Sequence, residues 1–305
     1  MGVYLSEPKT EKATFAEQNG KLEYASSEMQ GWRTSMEDAK ISNLSLPDDC
    51  SVFGVFDGHG GSEVSEFVAR HFIEELTQSG HYKGNVEKLL ISVFLRMDEI
   101  LLLPEGQREL IRIMQGLPNT YQVTETSSNS SVGCTAVVAY IRGNKLWVGN
   151  AGDSRCVLAR SGRAIDMSID HKPDMPSELE RITKAGGVVE GGRVNGNINL
   201  SRSIGDFEYK RSDLPPEDHM VTAYPEVKEI ELGPDDDFLV LACDGVWDML
   251  TSQQCVDFVY EGIKQFKDIK QIVEEVLDRC LAPSTASHGG LGCDNMTCII
   301  VKFNH

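Results

Sequence analysis

Apolar residues recur along this chain in two rhythms. From Ser51 to Phe56 the run "SVFGVF" is nearly unbroken and of strand length, and it ends on Asp57-Gly58. From Val64 onward the spacing changes. Val64, Phe67, Val68, Phe72 and Leu76 recur every three or four residues, which predicts a helix with one face on a core. Ser62 can cap that helix. A second helix is predicted from about Asn85 to Leu102, with Leu89, Val93, Leu95 and Met97 among its apolar residues. The stretch from Pro104 to Ser131 ends in "TETSSNSS", too polar for a core, and predicts a helix fragment followed by a mobile loop.

A run of strands follows. "CTAVVAYI" (Cys134 to Ile141) and "KLWVGNA" (Lys145 to Ala151) flank a turn signal at Gly143-Asn144, which predicts a hairpin. "SRCVLAR" (Ser154 to Arg160) and Ser161-Gly162 continue the meander. Pro176 opens a short helix, "PSELERITKAGG", closed by Gly186-Gly187. The glycine-rich stretch beyond it lacks the Gly-Lys-Ser/Thr of a P-loop and predicts a flap over about residues 168–199. "FLVLACDG" (Phe238 to Gly245) is another buried strand ending in Asp-Gly. Thr251 and Gln254 make a capping box ahead of two helices, about Ser252 to Gln265 and Lys267 to Leu281. "MTCIIVKF" (Met296 to Phe303) is the last strand. Short turns between strands argue against a doubly wound parallel sheet. Blocks of strand and helix predict one α+β domain over residues 22–305, preceded by an N-terminal segment, 1–21.

Composition narrows the class. At 40% hydrophobic and 25% charged, the 305 residues can bury a substantial core without a disulfide or metal staple. Acids outnumber bases 47 to 29, a net charge of −18, which argues against a nucleic-acid partner. The eight cysteines form no C-x-x-C pair and mostly sit in apolar runs, as small core residues in a reducing compartment do. No apolar run is long enough to span a bilayer, and no secretory signal opens the chain. Met1-Gly2 with Ser6 fits the N-myristoylation pattern, and a single acyl chain anchors only reversibly.

Carboxylates gather at the ends of predicted strands. Two strands end alike, at Asp57-Gly58 and Asp244-Gly245. Asp294 precedes the last strand, Asp153 lies between strands in "NAGDSR", and "MEDA" adds Glu37 and Asp38. Singly, each is an ordinary turn residue. Jointly, they would repel: two such charges about 4 Å apart cost roughly 4 kcal/mol at an effective dielectric near 20. A cluster of this kind must protonate or bind cations, and hard oxygen ligands suit Mg²⁺ or Mn²⁺ better than zinc. Two ions sharing a carboxylate can produce hydroxide near neutral pH, which is equipment for attack on phosphorus.

At these residues the chain resembles the metal-dependent type 2C Ser/Thr protein phosphatase family. The resemblance rests on "GWRTSMEDA", "VFDGHGG", "GCTAVVA", "NAGDSR", "DHKP", "SRSIGDFEYK", "PEV", "LACDGVWD" and "CDNMT", in family order over about residues 22 to 303. It implies a four-layer α-β-β-α sandwich of two antiparallel sheets, with a dinuclear metal site at one edge. It also implies roles. Asp57 is similar to the carboxylate that bridges both metals. Asp244 and Asp294 match ligands of the first ion, Glu37 and the Gly58 carbonyl ligands of the second. Asp38 resembles a residue that hydrogen-bonds a metal-bound water. Arg33 matches the phosphate-binding guanidinium, whose planar fork suits two oxygens. His59 resembles the general acid for the leaving oxygen. Asp153, with Asp248 or Asp244, matches a weaker third site. Cys243 and Cys134 stand where the family often has Ser or Thr, and Cys243 raises the question of an oxidation-sensitive site.

The implied function is hydrolysis of phosphoserine and phosphothreonine in proteins by a metal-bridging hydroxide, with two Mg²⁺ or Mn²⁺ ions and no phosphoenzyme. The expected partners are phosphoprotein substrates acting on a monomer. The expected location is the cytoplasm, the nucleus, or a membrane surface reached through acylated Gly2. Two rival functions fit the residues less well. A pseudophosphatase would lack ligands, and every expected carboxylate is present. A nuclease with the same ions would want a basic stripe, which is missing.

Overall fold

The computed structural model describes residues 4–78, 84–124, 131–211, 213–286 and 288–304. Gly2 and most of "TETSSNSS" lie outside them. Two antiparallel sheets carry the chain. One has six strands in the order Tyr4–Gln18, Leu22–Arg33, Met296–Phe303, Asp236–Ala242, Arg155–Arg160 and Arg163–Asp166. The other has five: Glu226–Glu231, Lys145–Ala151, Ala136–Arg142, Cys50–Phe56 and Ala39–Leu46. The predicted hairpin is present, with Ala136 facing Ala151 and Arg142 facing Lys145.

Alternation along a strand sends neighbours to opposite faces. In Cys50–Phe56, Phe53 and Val55 join a core cluster with Tyr24, Val137, Leu158, Leu239 and Val301, drawn from both sheets. The rings of Tyr24 and Phe53 meet edge-on at 5.3 Å. Val52 and Phe56, from the other face, pack with Val64, Phe72, Leu90 and Phe94. Those residues belong to helices Glu63–Gln78 and Val86–Leu102, at the predicted positions. Phe72 contacts both Phe56 and Phe94, at centroid distances of 5.8 and 5.5 Å. Burying each such side chain contributes about 1.5–3 kcal/mol. The six-stranded sheet is covered in turn by Val256, Val259, Ile272, Val273 and Val276. These come from Ser252–Lys264 and Ile269–Cys280, and the first of these helices starts at the Thr251–Gln254 capping box.

Two elements differ from the sequence expectation. The stretch set apart as an N-terminal segment supplies an edge strand, Tyr4–Gln18, paired with Leu22–Arg33 through two register shifts. It is mostly exposed and carries Lys9 and Lys12, a composition that discourages further strand pairing. Its polar, charge-rich surface hid it from a search for apolar alternation. The helix fragment after Pro104 is a full helix, Pro104–Met114. In the flap, helix Pro176–Lys184 is pinned by Glu178, which is buried against Arg181, Arg202 and Ser201. Burial alone would raise the Glu178 carboxyl, but Arg202 and Arg181 outweigh it and hold it at about 2.

Candidate active site

Strand register brings the predicted carboxylates together. In the five-stranded sheet Ala39 pairs with Phe56, so Asp38 and Asp57, one residue beyond each, leave the sheet side by side. In the six-stranded sheet Ala242 lies between Arg155 and Cys298. Asp244 therefore emerges at the end where Asp153 and Asp294 precede their strands. Both ends open on one cleft of about 490 Å³, lined by Arg33, Glu37, Asp57, Gly58, His59, Asp153, Asp244 and Asp294. Asp38 lies behind it, 7% exposed, with Oδ2 accepting from Thr297 Oγ1 at 2.7 Å. Asp248 caps the one-turn helix Asp244–Trp247, is exposed, and is not among the lining residues.

Local contacts set the backbone of this edge. The two-residue strand Gly58–His59 pairs with Gly133–Cys134. A Cβ on Gly58 would lie 2.3 Å from the Glu37 carbonyl oxygen, so only glycine passes here. The Glu37 carboxylate accepts from Ser35 Oγ at 2.7 Å and from the Gly61 amide at 3.2 Å. Asn295 is the tie between segments. Its side chain donates to the carbonyls of Gln30 and Ser35, both at 2.9 Å, and accepts from the Glu37 amide at 2.9 Å. Sequence reading passed over Asn295, although it stands inside the quoted "CDNMT". Arg193 was also passed over: from the flap it lines the same cleft, its Nη1 bonded to the Asn197 carbonyl at 2.6 Å.

The electrostatics follow from the crowding. Burial, then Asp38, Asp244, Asp294 and Asp153, push the Asp57 carboxyl well above the ordinary range. Burial, then Asp153, Asp294 and Asp248, do the same to Asp244. Burial is the main cause that raises Asp38 to about 7. Two cations answer part of this charge. Arg33 Nη2 lies 2.5 Å from Asp294 Oδ2, and Lys172 Nζ pairs with Asp153 Oδ2. His59 Nε2 lies 2.7 Å from Asp206 Oδ2.

Anionic oxygens so close, each raising its neighbours' affinity for a proton, have the same need for a divalent cation, so the donor set fits Mg²⁺ or Mn²⁺. Among the described residues, ligand atoms of Asp38, Asp57 and Cys243 lie within 4.8 Å of one another. The sulfur does not change the metal class. Cys243 is fully buried, and burial with Asp38, Asp57 and Asp244 raises its thiol well above the ordinary value. A neutral buried thiol is a poor ligand and is inert to oxidants.

Known proteins are similar to this chain over nearly its whole length. The family model described as protein phosphatase 2C matches residues 22–289. "Probable protein phosphatase 2C 2" of Paramecium tetraurelia is 49% identical over 307 residues, covering 99% of each chain. "Probable protein phosphatase 2C 60" of Arabidopsis thaliana is 46% identical over 333 residues, covering all of this chain and 93% of the relative. In fold, the chain is similar to the crystal structure of serine-threonine phosphatase 2C from Toxoplasma gondii. The TM-score is 0.75 at 20% identity, with 99% of both chains covered.

Proposed function

This chain belongs to the protein phosphatase 2C family and is a serine/threonine protein phosphatase, and on that premise we propose how its cleft removes phosphate from protein side chains. Asp57 would belong to the ligand sets of two divalent ions, Mg²⁺ or Mn²⁺. Asp244 and Asp294 would complete one site, Glu37 and the Gly58 carbonyl the other. When bound, the ions neutralise these carboxylates and activate a water for in-line attack. Arg33 binds two phosphate oxygens and orients the ester. Asp38, behind Asp57, hydrogen-bonds the attacking water. His59 gives a proton to the departing Ser or Thr oxygen. Water is the nucleophile, so no cysteine is needed and no phosphoenzyme forms. Asp153, with Asp244 or Asp248, would hold a weaker third ion.

The observation that carries this reading is the convergence of Asp57, Asp244 and Asp294 on one cleft, with Arg33 in its lining. The test is phosphate release from a phosphothreonine peptide with Mn²⁺, with EDTA, and in Asp57→Asn. Activity is expected only in the first; equal rates in all three would sink the metal mechanism.

The same proposal covers the wider molecule. Three of the core clusters support a helix–sheet–sheet–helix layering with the site at one edge of a single domain, which would act as a monomer. A net charge of −18 favours substrates with basic flanking residues, and Arg193 gives the flap a cation of its own. Myristoylation of Gly2 would add reversible membrane attachment to a cytoplasmic or nuclear enzyme. Intact mass after co-expression with an acyltransferase decides it; an unmodified mass retires it.

A further inference from the structure

One buried carboxylate contacts a residue of the cleft without belonging to its metal cluster. Asp206 ends the "SRSIGD" stretch, to which no role has yet been given. It is 1% exposed, and its Oδ2 receives both His59 Nε2, at 2.7 Å, and the Ser203 hydroxyl. Its Oδ1 is buried with no hydrogen-bond partner among the described residues. The residue adopts φ of 50°, in the left-handed region that side chains avoid. A buried, half-satisfied acid on a disfavoured backbone is costly, and such costs collect where function requires them.

The surroundings hold Asp206 and His59 against each other. Gly133 pairs with His59 on one side and Gly205 on the other. A Cβ at Gly133 would lie 2.3 Å from Asp206 Oδ2 and 2.8 Å from His59 Nε2, so the contact exists because that position is glycine. The Gly205 amide donates to Asp98 Oδ1 at 2.8 Å, and Lys210 joins Asp98 Oδ2, at 2.6 Å, to the Ser203 carbonyl, at 2.9 Å. Asp98 belongs to helix Val86–Leu102. The turn is thus bolted to a core helix.

We propose that Asp206 is the positioning residue of His59. It accepts the Nε2 proton, fixes the plane of the ring, and leaves Nδ1 as the nitrogen that acts on the substrate. This rests on the acid role given to His59. In that step the P–O bond to the Ser or Thr oxygen breaks, the oxygen keeps the electron pair, and the Nδ1 proton joins it. Asp206 neither gains nor loses a proton. A third group that orients a catalytic imidazole and sets its tautomer is a recurring arrangement.

The test is a double-mutant cycle read on two substrates at saturating Mn²⁺, a phosphothreonine peptide and p-nitrophenyl phosphate. The peptide's alkoxide needs a proton; the nitrophenolate does not. Asp206→Asn is expected to lower kcat about 10- to 100-fold more on the peptide than on the aryl ester. In a His59→Gln background it is expected to add less than about twofold. Equal losses on both substrates, or a full loss persisting in His59→Gln, overturn the inference. If His59→Gln itself shows no split, the acid role falls and takes this inference with it. A split in His59→Gln but none in Asp206→Asn overturns the positioning role alone. Should Asp206→Asn fold poorly, ¹⁵N-histidine NMR of the unmodified protein decides. The Nε2–H tautomer of His59 is expected, and a bare Nε2 overturns the inference.

Discussion

Arg33 Nη2 lies 2.5 Å from Asp294 Oδ2, so the guanidinium proposed for phosphate is paired with a carboxylate proposed for metal. Both side chains are more than a third exposed, and ion pairs of that kind contribute at most about 1 kcal/mol. A weak pair can be exchanged. A cation on Asp294 draws its charge away from Arg33 and frees the fork for substrate. Arg33→Ala is expected to raise KM for a phosphopeptide at least about tenfold while leaving Mn²⁺ affinity, by calorimetry, unchanged or tighter. Arg33→Lys should not rescue KM, because an ammonium cannot present two parallel donors. A wild-type KM in Arg33→Lys would count against phosphate binding at this position.

The crowded carboxylates make a prediction about pH. Asp38 is raised to about 7, and Asp57 and Asp244 lie well above the ordinary range, each chiefly through burial. Unfolded, they would titrate near pH 4. Between about pH 4 and 7 these three carboxyls therefore hold more protons in the folded chain than in the unfolded one. Their contribution to stability falls as pH rises across that window. Chelator-treated protein is expected to melt at a higher temperature at pH 5.5 than at pH 7.5. Saturating Mn²⁺ should flatten the slope, since cations replace protons, and Asp57→Asn should reduce it. Glu178, held at about 2, works in the opposite direction, but its contribution is lost as pH falls through its unfolded value, below the pH 5.5 of this comparison. A melting temperature that rises with pH in chelator would refute the argument.

Much of this was legible in the chain because local rules decide it. The buried strand ending at Asp57 was read from its apolar run, and the helix beyond it from the three-and-four spacing of Val64, Phe67 and Phe72. That Asp57, Asp244 and Asp294 share one edge was not local. It depends on Ala39 facing Phe56 and on Ala242 lying between Arg155 and Cys298, pairings that no single segment encodes. Asn295 and Asp206 escaped for the same reason. Each is an unremarkable turn residue until a distant backbone or a histidine 147 positions away meets it. Strand Tyr4–Gln18 escaped because an edge strand with little buried surface leaves no hydrophobic period to read.

Lys172 bears on the third ion. Its ammonium pairs with Asp153, whose side chain is almost wholly buried, and burial that would lower its pKa is outweighed by Asp153. An internal cation on a candidate ligand competes with an external one. Lys172→Ala is expected to tighten the weakest Mn²⁺ site about tenfold, which is about 1.4 kcal/mol, while the two tighter sites hold. Lys172→Arg should retain the wild-type affinity. Calorimetric titration or Mn²⁺ EPR reads this directly. A weaker third site in Lys172→Ala would mean that the lysine orders Asp153 instead of competing for it.

Gly58 offers the sharpest steric test. Its missing Cβ would fall 2.3 Å from the Glu37 carbonyl oxygen, 3.1 Å from the carbonyl carbon and 2.9 Å from Ser65 Oγ. The nearest obstacle is backbone, which cannot rotate aside, and Gly58 is pinned from the other side by pairing with Cys134. In Gly58→Ala the Glu37 segment must therefore yield, taking with it the Ser65 hydroxyl bond to the Glu37 carbonyl. Overpacking of this kind costs about 1–3 kcal/mol. The functional loss should exceed the structural one, because Glu37 and the Gly58 carbonyl are proposed to hold the same ion. At low Mn²⁺ the variant is expected to lose about 100-fold in activity and to recover part of it at high Mn²⁺, with a melting temperature lower by a few degrees. Gly143→Ala is the control. That glycine sits in a hairpin turn at φ of 61° with no described residue near its Cβ, so alanine there adds backbone strain far from the cleft and should leave Mn²⁺ dependence alone. Wild-type Mn²⁺ dependence in Gly58→Ala would show that this backbone can shift without disturbing an ion, and would remove Glu37 and Gly58 from the proposed metal site.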